Sequence, residues 1–150
     1  MSLGPGLAWS ALAAAALLGC ARPAPRAIAY GEEPCRHCHM TIADPRFAAE
    51  LVTATGKVYV FDDVGCLTAF VHEGTVPPSK VHGLWVYDYL QPDSLLDARQ
   101  AVYLLVDSLA TPMGSHLAAL RAGPAADSLR ARLGGILLTW EQLPAGRHDG

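Results

Sequence analysis

The sequence predicts an α+β fold: two β-β-α-β halves forming antiparallel sheet, with a helix from each half covering it. Three observations lead there. Runs of β-formers come in closely spaced pairs. Each pair is followed by an apolar stretch at helical spacing behind a helix-start signal. The whole order then recurs in the second half of the chain, as a repeat of pattern with little residue identity.

In the first half, Phe47 to Val52 and Lys57 to Phe61 read as strands, and Thr53 to Gly56 between them is a hairpin signal. Asp63 is a good N-cap for a helix running to about His72, with Leu67, Phe70 and Val71 at helical spacing. Pro77-Pro78 breaks the chain, and Gly83 to Leu90 reads as the next strand. In the second half, Ala101 to Val106 is a strand. After the turn Thr111-Pro112-Met113-Gly114, His116 to Leu120 is its expected hairpin partner. Gly123-Pro124 opens a helix whose Leu129 and Leu133 lie on one face. Gly134-Gly135 stops it, and Ile136 to Trp140 is the last strand.

The 150 residues suit one domain. A hydrophobic share of 51% with 17% charged residues excludes a disordered chain. Eleven basic and fourteen acidic residues, scattered, leave no footprint for nucleic acid. Leu7 to Leu18 is apolar apart from Ser10 and shorter than the ~20 residues a spanning helix needs, which fits a signal-peptide core. It ends Leu17-Leu18-Gly19-Cys20, a pattern resembling a bacterial lipobox, with Cys20 the expected lipid-bearing residue. The expected organisation is a leader over 1–19, a lipidated tether over 20–31, a folded domain over 32–144 and a tail over 145–150. The expected location is outside the cytoplasm, anchored to a bacterial membrane.

The chemistry concentrates in Cys35-Arg36-His37-Cys38-His39-Met40, which packs two thiols, two imidazoles and a thioether into six residues. Thiolate and thioether donors select Cu(I). In an extended segment, Cys38 and Met40 would point to the same face and could grip one ion together. Cys35, His39 or Met113 could add a donor, Met113 because a Pro-Met-Gly turn is an unusual place for a core methionine. His116 is a weaker candidate. Other readings remain open at this level. Cys35-x-x-Cys38-His39 has the form of a covalent haem attachment site, as in a c-type electron carrier. Cys-x-x-Cys also suits a periplasmic thiol oxidoreductase, a zinc site lacking its second ligand pair, or a plain disulfide. Asp62 and Asp63 read as helix caps and Cys66 as a buried thiol on the helix's apolar side. His72 and His82 read as element ends, and His148 belongs to the tail. No acid–base or nucleophile constellation is visible, so a binding protein is expected rather than an enzyme.

The order of motifs carries a family resemblance. A lipobox is followed by Cys35-x-x-Cys38-x-Met40, Thr41-Ile42, Phe47-Ala48-Ala49-Glu50, Gly56-Lys57 and Phe61-Asp62-Asp63-Val64-Gly65-Cys66. Asp97-Ala98, Val102-Tyr103 and Thr111-Pro112-Met113-Gly114 come after. This resembles the NosL family of nitrous oxide reductase accessory lipoproteins, over roughly residues 17–140. The resemblance implies the two-part β-β-α-β fold, Cu(I) as the ion carried, and delivery to nitrous oxide reductase or its maturation proteins. It maps Cys38 and Met40 onto the family's cysteine and methionine ligands. His39 stands where the family has glycine, which removes a flexible position and adds an imidazole.

Overall fold

The computed structural model describes Met1 and residues 21–146. Residues 2–19 of the expected leader, Cys20 and His148 lie outside the described residues. No helix among the described residues is long and apolar enough to cross a membrane.

The first half is built on β1 (Ala49–Thr53), buried along its whole length, and β2 (Val58–Phe61). They pair antiparallel with Ala49 opposite Phe61 and Leu51 opposite Tyr59. The Thr53 hydroxyl accepts the Lys57 N–H at 2.9 Å, which closes the hairpin loop. Helix α1 (Val64–Glu73) follows, capped by the Asp63 carboxylate, which accepts the Gly65 N–H at 2.7 Å. Gly74, left-handed at φ 70°, ends it. Strand β3 (Val81–Asp88) then returns beside β1.

The chain adds one strand the sequence did not suggest. β4 (Gln91–Asp97) pairs with β3, giving the order β2-β1-β3-β4. Pro92 and two aspartates hide its strand character, and all three are tolerable because β4 is an edge. The Asp88 carboxylate accepts the Leu90 N–H at 3.0 Å and turns the chain into it.

The second half repeats the first without the extra strand. β5 (Val102–Leu105) lies between β6 (Leu117–Leu120) and β7 (Ile136–Leu138), the same arrangement as β1 between β2 and β3. The α+β architecture is therefore present, as two antiparallel sheets of four and three strands. Period-two alternation divides the core. Tyr103, Leu117 and Ala119 join the main cluster with Leu51, Phe61 and Leu67. Leu104, Ala118 and Leu120 face the other way, into a smaller cluster under α2 (Pro124–Leu133).

Several boundaries moved. Residues Pro45–Phe47 form a 3₁₀ turn, so β1 starts later than expected. Trp140 begins another such turn, beyond β7, and its ring lies tilted, 6.2 Å from the Tyr103 ring. On α2 the buried pair is Ala126 and Leu129, three apart, while Leu133 is 42% exposed. Within the stretch read as tether, Ile28 is buried in the main cluster.

A carboxylate lies at the centre of the first sheet. Glu50 is fully buried on β1, where its Oε1 accepts the Tyr87 hydroxyl at 2.9 Å and its Oε2 accepts the Arg26 N–H at 3.0 Å. Burial raises the Glu50 pKa above its ordinary value, and these donors pull the other way. Tyr87→Phe leaves one carboxylate oxygen without its buried donor and should cost about 1–3 kcal/mol in urea unfolding. An unchanged midpoint would show that the hydrogen bond is not stabilising.

Candidate metal-binding site

Three segments meet at the site: the Cys35–Met40 turn, the end of β2, and the first turn of α1. The turn is closed by backbone hydrogen bonds. Cys35 N–H donates to the Met40 carbonyl at 2.8 Å and His39 N–H to the Cys35 carbonyl at 3.0 Å. Pro34 and Thr41 form a single antiparallel bridge at its base. Arg36 N–H donates to the Val60 carbonyl at 2.8 Å, which pins the turn onto β2.

That geometry corrects one expectation. Residues 36–38 are turn, and His39 is left-handed at φ 65°, so the period-two alternation that would set Cys38 and Met40 on one face does not apply. His39 thus occupies a conformation that glycine adopts without strain. Its imidazole is exposed, and the adjacent His37 ring lies 3.2 Å from the Glu73 carboxylate at the end of α1.

The turn delivers Cys35 and Cys38 to Asp62 and Cys66. The donor atoms of these four residues all lie within 4.8 Å of one another. Cys35 and Cys66 are fully buried, Asp62 is almost so, and Cys38 is half-buried. All three cysteines are free thiols. The Cys38 thiol donates to the Asp62 carboxylate, 3.4 Å from each oxygen. Asp62 follows the last residue of β2, and Cys66 lies in the first turn of α1.

The thiols differ in acidity. A hydrogen bond from Cys66, helped by the Cys38 and Asp62 backbone N–H groups, brings Cys35 down to about 7 against its burial. Cys38 is pushed up to about 12, chiefly by burial. Cys66 is raised above the ordinary thiol range, first by its hydrogen bond to Cys35 and then by burial. The cluster therefore presents one ready thiolate and two thiols that must lose protons to a metal. Soft donors of this kind hold Cu(I) or Zn²⁺.

The other residues singled out from the sequence are placed as follows. Met40 is 52% exposed at the exit of the turn. Met113 is half-buried against the main core, and its N–H donates to the Asp63 Oδ2 at 3.1 Å, next to the cluster. His39 lies outside the four-residue group. The His116 Nδ1 is 2.8 Å from the Leu109 carbonyl. Asp63 is the helix cap expected of it, whereas its neighbour Asp62 points into the thiol cluster. Sequence reasoning passed over Asp62 and Cys66 as site residues. The available signal was the Phe-Asp-Asp-x-Gly-Cys element, whose aspartate and cysteine straddle a strand-to-helix junction.

Two outcomes follow from this geometry. His39→Gly removes the left-handed penalty and should raise stability by about 1 kcal/mol, read as a higher Tm; a lower Tm would show that the imidazole contributes more than the strain costs. Thiolate absorbance should show one group titrating near pH 7, lost in Cys35→Ser and moved toward the ordinary thiol range in Cys66→Ser. Because the folded Cys35 pKa lies below its unfolded value of 9.0, its contribution to stability is full above pH 9 and is lost as pH falls through 7. A flat titration between pH 6 and 8 would contradict the assignment.

Comparison with known proteins places the chain. No curated protein matches it. Among solved structures it is similar to the copper chaperone NosL from Shewanella denitrificans, at 20% identity and a TM-score of 0.65. The match covers 85% of this chain and 100% of that one, and it shows the fold. The family model described as NosL matches residues 27–147, a span that includes the turn, the thiol cluster and both sheets. The chain belongs to the NosL family.

Proposed function

We propose that this protein is a metallochaperone carrying Cu(I) outside the cytoplasm, anchored to the membrane by a lipid on Cys20. Its cargo goes to nitrous oxide reductase or to the proteins that mature it. The observation that carries the reading is the gathering of three free thiols and one carboxylate within 4.8 Å beneath a surface turn. Family membership and the copper chaperone named in the solved structure support the choice of metal. The chemistry is capture and release, with no substrate turned over.

Cys38 is the central ligand. It is the half-buried thiol of the cluster, so it can meet both an arriving ion and a departing one. Met40 offers an exposed thioether two residues on, the kind of neutral soft donor that holds Cu(I) loosely enough to be exchanged. Cys35, Met113 and His39 are auxiliary donors. The haem reading fits the geometry less well. Cys35 is fully buried with its sulfur in the cluster, whereas a thioether bond to haem needs both cysteines to reach outward. Thiol exchange through Cys-x-x-Cys calls for a motif opening a helix, and here the motif sits in a turn ahead of the first strand.

The test is anaerobic titration of the reduced chain with Cu(I) against a chromophoric chelator, followed by mixing with copper-depleted nitrous oxide reductase. One Cu(I) per chain is expected, held at least about 100-fold less tightly by Cys38→Ala, with recovery of reductase activity on mixing. A wild-type chain that cannot compete with the chelator would refute the copper role. Copper binding without recovery of the reductase would refute the recipient.

A further inference from the structure

We propose that copper has two positions in this protein: an inner seat formed by Cys35, Cys38 and Cys66 above Asp62, and an outer position at Cys38 and Met40. Cys38 is the ligand common to both. The inference rests on the Cu(I) reading above and adds to it Cys66, a thiol 28 residues beyond Cys38 that the sequence analysis takes as core.

Three features support the inner seat. Metal–thiolate bonds of about 2.3 Å place the sulfurs of a trigonal or tetrahedral site about 3.8–4.0 Å apart. The donors here lie within 4.8 Å of one another, so closing on an ion requires shifts of less than an ångström per side chain. Burial is the second feature. Cys35 and Cys66 are fully enclosed, while free thiols serving only as packing have no reason to converge with a carboxylate in the same place. Thirdly, backbone dipoles reach two of the thiols. Cys66 lies in the first turn of α1, where the helix dipole is positive. The Cys35 sulfur faces the Cys38 and Asp62 N–H groups.

The outer position follows from exposure. Of the three thiols, Cys38 alone is incompletely buried, and Met40, two residues on in the chain, is exposed. An ion leaving the seat exchanges Cys35 and Cys66 for Met40 while Cys38 stays bound, and a partner's donors then replace both. Each protonated thiol that binds gives up one proton, that of Cys38 passing to the Asp62 carboxylate it already touches and that of Cys66 to solvent. Each thiolate that lets go takes a proton back, and copper remains Cu(I) throughout.

Full chain containing selenomethionine, reduced and loaded with one equivalent of Cu(I), provides the test by copper-edge X-ray absorption. The expected spectrum has sulfur neighbours and no copper–selenium distance. Cys66→Ser should bind Cu(I) at least about tenfold more weakly and gain a copper–selenium distance as the ion falls back to the outer position. Met40→Leu removes the outer donor and should release copper to a chelator more slowly than the wild type. A copper–selenium distance in the wild type would overturn the inner seat, as would a folded Cys66→Ser with unchanged affinity. If Cys66→Ser does not fold, the wild-type spectrum decides alone. Failure of the wild type to take Cu(I) refutes the chaperone reading. Loss of binding in Cys38→Ala together with full binding in Cys66→Ser refutes this proposal and leaves that reading standing.

Discussion

The carboxylate of Asp63 is shared between two backbone amides. One oxygen caps α1 at the Gly65 N–H, and the other holds the Met113 N–H from a loop 50 residues away. Asp63 is fully buried, so both bonds form in a low-dielectric setting where losing either would strand a charged oxygen. This one side chain fixes where α1 begins, and with it the positions of Asp62 and Cys66. It also ties the second half of the molecule to the first at the edge of the thiol cluster. Gly65 shows how close that approach is: a Cβ there would meet the Ser115 Cβ at 2.8 Å. A larger residue would force the two halves apart where the site is assembled.

The site is a product of that junction. A strand end supplies Asp62, a helix start supplies Cys66, and a turn hydrogen-bonded to β2 supplies Cys35 and Cys38. Each piece is held by backbone hydrogen bonds, so side-chain positions are set before any ion arrives. The exposed end, at His39 and Met40, is less constrained by packing. Rigid donors inside and a looser donor outside are what a carrier needs if it must bind selectively and still let go.

The two halves share a topology but divide the labour. The first carries the cluster, the buried Glu50 and the extra edge strand. The second provides a sheet with both faces covered, one by α2 and one by the main core. Its Leu117 and Ala119 complete the core on which α1 rests. The backbone bond from Tyr89 N–H to the Ala119 carbonyl, 2.9 Å, joins the halves directly. Strand β4 is the element that sequence pattern could not reveal. A strand with a proline and little alternation exists because β3 offers it a partner.

Local chemistry was legible from the sequence alone. Asp63 followed by an apolar helical pattern marks a cap, the paired β-former runs mark hairpins, and the six-residue Cys-His-Met segment marks soft-donor chemistry. Those features depend on neighbours within a few residues, where backbone sterics and capping act. The order of motifs also pointed to the NosL family. What only the tertiary structure decided was which donors meet. Asp62 and Cys66 join Cys35 and Cys38 because β2 and α1 fold back beneath the turn, a long-range contact that no spacing encodes. The same holds for Met113, brought beside Asp63 by the packing of one half on the other. Donor types are a property of residues, but their convergence is set by the burial of apolar faces that lie far apart in the chain.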